Sequence, residues 1–555
     1  MRDVQDYSYP KMCHFGYTVQ DLTIPRLITD RAEAYGDKVF LTWLEDGSVY
    51  TFRDMHAISD RLARSLQAYG VGPGTHVAVM MENCPEQALT YLALGKVGAV
   101  AVPVNTAAKG MLLGRLLRHA DVTHAIVEAQ FVSRFEEAAA DIETICTVVV
   151  LEQDGQDARF SDGSRFNAVP FSSLQTSPEA STDKPLPVVR YSDLAMLSYT
   201  SGTTGPSKAN MFHQASVVQF GMTTAESYSY TSDDTIYVCL PLNHANAYLC
   251  AFWGAWVAGG SVALARRFSV SRFWHDIRRS KATGTSLLGS MVNMIWALPP
   301  TAEDVRHNLR FIVLTPMPAF AREWRERYRV EVTTSYGLTD YVLATIYAPG
   351  DRLDKLGSAG RPRPGVEIRI ADEADNSLPP GEVGEILLRS RNVWSGSMGY
   401  YKDPQATLNA VRNMWWHTGD RGYLDEDGYL YFVDRKKDAI RRRGENISAY
   451  EVEAIIARHP AVADLAAYPV PSEQSEDEIA ISVVLREGES LSARELIEFC
   501  IANMAHYMVP RYVQFVADLP RTPTQKVRKE ELKVAALQNL AAFWDREREG
   551  IQVKR

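Results

Sequence analysis

Ten consecutive residues in the middle of the chain have the composition of a phosphate cradle: Tyr199-Thr200-Ser201-Gly202-Thr203-Thr204-Gly205-Pro206-Ser207-Lys208. The stretch holds five Ser/Thr hydroxyls, two glycines and one lysine. Glycine allows a sharp turn and close approach of the backbone to a ligand. Hydroxyls, backbone N–H groups and a lysine together supply donors for phosphate oxygens. Composition alone also fits an ordinary Ser/Thr/Gly surface loop. The loop is not of the Walker A type, because counting from Gly202 position 207 should be glycine and is serine.

The stretch resembles the signature loop of the adenylate-forming superfamily, which includes acyl-CoA ligases, luciferases and the adenylation domains of peptide synthetases. Tyr199 through Gly205 and Lys208 fit the pattern, while Ser207 stands where proline is usual and Ala209 where glycine is usual. The resemblance implies that Thr200, Ser201, Gly202, Thr203, Thr204 and Lys208 meet the phosphates of ATP. Further segments match in order. In Leu240-Pro241-Leu242-Asn243-His244, His244 takes the place that faces the substrate carboxylate, although an isolated histidine there would read as a satisfied core residue. In Tyr336-Gly337-Leu338-Thr339-Asp340, the resemblance places Tyr336 and Gly337 against adenine and Thr339 on a phosphate. Asp340, where glutamate is usual, would help to hold Mg2+, an ion that takes hard oxygen ligands. Asp420, in Trp416-His417-Thr418-Gly419-Asp420, would accept from both ribose hydroxyls; alone it would be a turn aspartate. Arg435 would meet ribose or phosphate, and Lys437 would be the hinge of a mobile domain. Gly444 and Glu445 would line a tunnel for the pantetheine arm of coenzyme A, glycine leaving room for the thiol. Lys526, preceded by Gln525 where glycine is usual, would be the lysine of the adenylation step. Thr315-Pro316-Met317-Pro318-Ala319 departs from the Gly/Ala-rich turn usual against adenine.

These residues need a scaffold, and the apolar pattern suggests one. Short apolar runs such as His76–Met81, Ala99–Val104 and Val148–Leu151 alternate with helical patterns such as Pro85–Val97. That alternation predicts layered α/β units with parallel strands. The phosphate loop is expected to join a strand at Leu194–Leu197 to a helix over Gln214–Phe220. Asp154–Lys184 reads as a polar surface excursion, and Leu532 to the end as a surface helix or frayed tail. The expected fold is α/β. A large N-terminal domain of layered α/β subdomains covers 1–436, and a small mobile α+β domain covers 437–555. From Thr235 to Ala265 there is no charged residue, but Pro241, Asn243, His244, Asn246 and Gly259-Gly260 interrupt the run. A spanning helix needs about 20 mainly apolar residues, so a buried strand–loop–helix–strand is expected and no integral membrane association.

The chain of 555 residues is too long for one core. A net charge of -9 argues against general nucleic-acid binding. Six scattered cysteines without a CxxC pair, and an N-terminus without an apolar signal core, fit a reducing cytoplasm.

The resemblance implies a two-step reaction: a carboxylic acid and ATP give acyl-AMP, and CoA then gives the thioester after domain rotation. Within the family the C-terminal motifs resemble acyl-CoA ligases of the carnitine/crotonobetaine type. Three alternatives stay open. The substitutions at 207, 209, 340 and 525 would fit an enzyme restricted to thioester formation from supplied acyl-AMP. A stand-alone adenylation enzyme loading a carrier protein, or a non-catalytic nucleotide-binding pseudoenzyme, would share most of the motifs. The aromatic density from Tyr228 to Trp296 would suit a large apolar acid, although aromatics are common in cores.

Overall fold

The apolar runs of the N-terminal part form two sheets. The computed structural model describes residues 16–152, 160–161, 164–176, 185–200, 207–435, 439–442, 444–472, 476–520 and 527–553. One sheet has seven strands in the order Asn167–Pro170, Thr147–Leu151, His124–Glu128, His76–Met80, Val100–Pro103, Leu194–Thr200, Lys208–His213. Its pairings are parallel except the last. The other has nine strands, from Arg361–Pro362 at one edge to Val49–Thr51 at the other, with a parallel centre built by Glu331–Leu338, Phe311–Thr315, Gly284–Leu288, Thr235–Val238, Ser261–Leu264 and Val39–Trp43. β-Branched runs such as Thr147–Leu151 suit strands buried on both faces. Helices cover them. Phe52–Ala68 starts at a capping box, in which Thr51 Oγ1 accepts from Asp54 N and the Asp54 carboxylate accepts from Thr51 N.

The uncharged run Thr235–Ala265 is the expected strand–loop–helix–strand. Thr235–Val238 and Ser261–Leu264 flank a π-helical stretch, Asn246–Phe252, and a helix, Trp253–Ala258. Among the described residues no helix is long and apolar enough to cross a membrane. The aromatics of this region mainly fill core: Trp256 packs edge-on to Phe40 at 4.3 Å and beside Phe52 at 4.9 Å.

Beyond the two sheets, an antiparallel five-stranded sheet (Val366–Ala371, Gly384–Ser390, Trp415–Leu424, Val411–Arg412, Leu430–Arg435) leads to the C-terminal part. There a hairpin, Ala439–Arg442 with Glu445–Ser448, precedes a four-stranded sheet flanked by helices such as Ala493–Asn503. This is the expected α/β architecture. The expected boundary at 436/437 and the hinge Lys437 lie outside the described residues.

Two expectations about local structure are corrected and a third holds. The phosphate loop joins two antiparallel strands, with Thr200 paired to Lys208, and the helix Gln214–Ser227 follows only after the second strand. The excursion 154–184 contributes an edge strand, Asn167–Pro170, because its alternate residue Val169 is buried. The surface helix expected in the tail is Lys529–Asn539, and beyond it Trp544–Asp545 pairs with Tyr512–Val513, anchored by Arg511 on Asp545.

The two sheets are joined at Asn83, just past strand His76–Met80. Its buried amide Nδ2 donates to the carbonyls of Leu240 and Ala265, each at 3.0 Å, and its Oδ1 accepts from Leu242 N at 2.7 Å. Removing the amide leaves three buried backbone groups without partners, at about 1–3 kcal/mol for each such group. Asn83→Ala should therefore destabilise the protein by several kcal/mol, about 2–4 after local relaxation, and lower its thermal midpoint. Val49→Ala, at an exposed position, should leave the midpoint unchanged. Equal midpoints for both variants would show that the joint does not hold the sheets.

Candidate active site

Asn83 fixes the segment Leu240–Leu242 and so places the next two residues, Asn243 and His244, at the mouth of a cavity of about 1040 Å³. The cavity lies where the large sheets, the five-stranded sheet and the C-terminal part meet. Lys208, His244, Gly337, Thr339, Asp340, Asp420, Gly444 and Glu445 all line it. Residues more than two hundred positions apart thus share one space. Ser201, Gly202, Thr203, Thr204, Lys437 and Lys526 fall outside the described residues. Thr200 is placed by its backbone, opposite Lys208. Arg435 is likewise placed by its backbone, opposite Asp420.

Each wall has a local cause. Gly337 lies in the strand Glu331–Leu338, and a Cβ there would come within 2.7 Å of Leu343 N, so the chain passes only as glycine. Leu343 itself has φ +52°. Tyr336 is buried beside the cavity, and its hydroxyl donates to Asp420 Oδ2 at 2.9 Å. Asp420, only 3% exposed, also receives the Thr418 hydroxyl's company through its own N–H, which donates to Thr418 Oγ1 at 3.0 Å. Asp340 is held by the phenol of Tyr400, whose pKa is raised by burial and then by that carboxylate. Lys208 Nζ sits 4.6 Å from the centre of the Tyr400 ring. Asp340 thus brings one carboxylate to the wall that Lys208 shares. Among the described residues no group of three or more His, Cys, Asp or Glu side chains could hold a metal alone. Mg2+ fits such a site only as an ion carried mostly by phosphate oxygens and water, which is its usual habit.

The C-terminal part closes the cavity with polar contacts. His244 Nε2 lies 3.3 Å from Glu445 Oε1. Burial opposes charge on His244, but the Glu445 carboxylate outweighs it and raises the pKa. Burial pushes the Glu445 carboxyl up, yet His244, His506 and a bond from Asn105 bring it below the ordinary value. Asn105 Nδ2 also donates to the Tyr507 hydroxyl at 3.4 Å. Lys109 Nζ donates to the Ile501 carbonyl near the end of helix Ala493–Asn503. Gly444 has φ +84°, and a Cβ there would stand 3.2 Å from Leu288 Cδ1.

Two departures from the family pattern find a physical place. Ser207 N donates to Glu451 Oε1 at 3.1 Å, and its hydroxyl donates to the same oxygen. Proline, the usual residue, could make neither bond. Ala209, where glycine is usual, is a fully buried strand residue packed in the core of the seven-stranded sheet, so its Cβ is accommodated there. Sequence reading missed Glu451, Tyr400, Asn105 and Tyr507. Glu451 begins the helical run after the Gly444 loop, but nothing local pairs it with a serine 244 positions away.

The pattern of the AMP-binding enzyme family matches residues 28–401, and that of the AMP-binding enzyme C-terminal domain matches 451–526. Crotonobetaine/carnitine–CoA ligase of Salmonella typhi is 32% identical over 514 residues, covering 91% of this chain and 97% of that protein. A double mutant of o-succinylbenzoate CoA synthetase from Bacillus subtilis, bound with its product analogue OSB-NCoA, superposes with a TM-score of 0.79 at 26% identity, covering 92% of this chain and 98% of that one. The same synthetase in complex with AMP gives 0.64 at 26% identity, covering 91% and 98%.

The His244–Glu445 pair makes the closure pH-dependent. Glu445 is ionised above its depressed pKa, so its contribution is full above the ordinary 4.5. His244 is charged below its raised pKa, so its contribution is full below the ordinary 6.5 and fades as pH climbs through the raised value. The docked arrangement should therefore be most populated at about pH 5–6 and decline above neutrality. Spin-label distances between the exposed Cys146 and a cysteine introduced at the exposed position Leu537 would report it. His244→Gln should abolish the pH dependence; a profile unchanged by that substitution would assign it to other groups.

Proposed function

The chain belongs to the AMP-binding enzyme family, and from that membership we propose that it is an acid–thiol ligase that joins a carboxylic acid to coenzyme A through an acyl-AMP intermediate. The observation that carries this reading is the sharing of one cavity by Lys208, Thr339, Asp340 and Asp420 with the Gly444–Glu445 loop of the C-terminal part. Nucleotide and thiol machinery then face the same reacting carbonyl. The better superposition on the CoA-product-analogue complex than on the AMP complex supports the docked state as the thioester-forming one.

In the first step a carboxylate oxygen attacks the α-phosphorus of ATP, and pyrophosphate leaves. The barrier is largely charge repulsion, so fixed positive charge and oriented donors lower it. Lys208, Thr339 and the loop Thr200–Thr204 bind phosphate oxygens, and Lys526 supplies charge to the α-phosphate and carboxylate. Asp340 would help to hold Mg2+, which when bound would neutralise phosphate charge. Asp420 takes the ribose hydroxyls, with Tyr336 holding one of its oxygens and forming the adenine wall with Gly337; Arg435, whose backbone pairs opposite Asp420, is assigned to ribose or phosphate. The small domain then turns about Lys437, carrying Lys526 away and bringing Gly444 and Glu445 in. In the second step the CoA sulfur attacks the acyl carbonyl, and AMP leaves with the bonding electrons. His244, paired with Glu445, stands beside that carbonyl.

A complete ligase is favoured over the other readings. The match extends along nearly the whole length of a CoA ligase. Ser207 and Ala209 fit their positions and so give no motive for a lost first step. The aromatic density after Tyr228 belongs mainly to the core and lends little support to a large apolar acid.

Two substitutions should separate the half-reactions. Lys526→Ala should slow acyl-AMP formation from acid and ATP by about 100-fold or more, and spare thioester formation from supplied acyl-AMP. Gly444→Trp should do the reverse, because the position has positive φ and faces Leu288. Equal losses in both half-reactions for either variant would overturn the corresponding assignment.

A further inference from the structure

The end of the phosphate loop meets a carboxylate to which the reaction above gives no task. Glu451 stands in the first turn of the helix Ala449–Ile456 in the C-terminal part and is only 8% exposed. Ser207 N donates to its Oε1 at 3.1 Å, and the Ser207 hydroxyl donates to the same oxygen. Lys208 follows Ser207 in the chain, and both line the cavity together with Glu451 and Arg115. Burial raises the Glu451 pKa, against the Ser207 bonds and the charge of Arg115. A backbone N–H, a hydroxyl and nearby cations are also the partners a phosphate group takes. The C-terminal part thus lays an anion of its own on the end of the loop assigned above to phosphates.

Two anions cannot hold one set of donors, because like charges in contact repel strongly in a partly buried site. A buried carboxylate also needs its hydrogen bonds, and Ser207 supplies two of them. Proline, the usual residue at 207, has neither an N–H nor a hydroxyl to offer. A loop with proline there meets phosphates through its other donors. The two donors of Ser207 are therefore additional, and Glu451 is what they hold.

We propose that Ser207 and Glu451 form a latch that takes the place of pyrophosphate: Glu451 seats on the end of the loop only after pyrophosphate has left, and once seated keeps it out. This rests on the ligase reading above. Both are positioning residues, since neither touches the reacting atoms. With pyrophosphate at Lys208 the Glu451 carboxylate has no place. The helix Ala449–Ile456 then stays off the loop, and Gly444 and Glu445, which precede that helix, stay out of the cavity. With Glu451 seated, the reversal of the first step is closed. In that reversal a pyrophosphate oxygen attacks the α-phosphorus of acyl-AMP, and the carboxylate leaves with the bonding electrons. The competing reading is that Ser207–Glu451 is one polar contact among several between the two parts, with no bearing on pyrophosphate.

The test is the affinity of pyrophosphate for the protein with AMP bound and no acid present, so that binding is read without turnover. Calorimetry is run on wild type, Ser207→Pro, Ser207→Thr, Glu451→Gln and the double variant Ser207→Pro/Glu451→Gln. A ligand that binds only the undocked state loses affinity in proportion to the docked fraction. Pyrophosphate should therefore bind about tenfold tighter to Ser207→Pro and to Glu451→Gln than to wild type. The double variant should gain no more than either single one, because both remove the same contact. Ser207→Thr, which keeps the N–H and a hydroxyl, should match wild type. Loss of a nearby negative charge alone would tighten binding in Glu451→Gln but not in Ser207→Pro. Should Glu451→Gln not fold, Ser207→Pro and Ser207→Thr decide the matter. Wild-type affinity in Ser207→Pro, or gains that add in the double variant, would overturn the latch and leave the ligase intact. The ligase reading is judged apart, by AMP and thioester from acid, ATP and CoA. Pyrophosphate that binds none of the five proteins would overturn the phosphate assignment of the loop, and this inference with it.

Discussion

The three hydrogen bonds of Asn83 are the contact on which the site depends. Parallel sheets leave their functional ends at the carboxyl edges of their strands. A cavity shared by two such sheets exists only if those edges are held face to face. Asn83 does this with one buried amide, which engages the backbone just past two strands of the opposite sheet. Arg266 reinforces the joint by pairing with Glu82 and Glu128 across the same gap. Because these partners are backbone groups, the buried carboxylate of Glu128 and the half-buried one of Glu82, the joint has little freedom. His244 and Lys208, on opposite sheets, are thereby set at a fixed separation.

The third wall is held differently. The C-terminal part meets the large domain through Ser207–Glu451, His244–Glu445, Asn105–Tyr507 and Lys109 on Ile501. Among the described residues, the partly buried Ala107, Met111 and Leu112 pack against the C-terminal core. Polar contacts of this kind exchange for water at small net cost, typically about 0.5–1.5 kcal/mol each. An interface built from them can release and re-form, as interdomain interfaces commonly do. The rigid joint and the exchangeable one would divide the work in the proposed reaction: one would fix the nucleotide side, the other would let the groups proposed on the C-terminal part change places.

Much of the fold was legible because its signals are local. Runs such as Thr147–Leu151 could only be buried strands, and the prolines and glycines between Thr235 and Ala265 excluded a spanning helix. Lys208, His244, Thr339, Asp340, Asp420, Gly444 and Glu445 were named from short motifs and do line one cavity. What was illegible depends on pairs distant in sequence. Ser207 looked like a defect until Glu451 arrived opposite it. Ala209 looked out of place where glycine is usual, but it lies in a buried strand. The aromatics suggested a large apolar pocket, but packing spent most of them on the core.

The central claim is that adenylation and thiol transfer are separate events on one site, joined by movement of the small domain. Isotope exchange between pyrophosphate and ATP, measured with a substrate acid and without CoA, tests it most directly. The account predicts exchange that requires the acid and proceeds in the absence of CoA, with AMP released in step with thioester only when CoA is added. Exchange that occurs only with CoA present, or release of ADP in place of AMP, would contradict it.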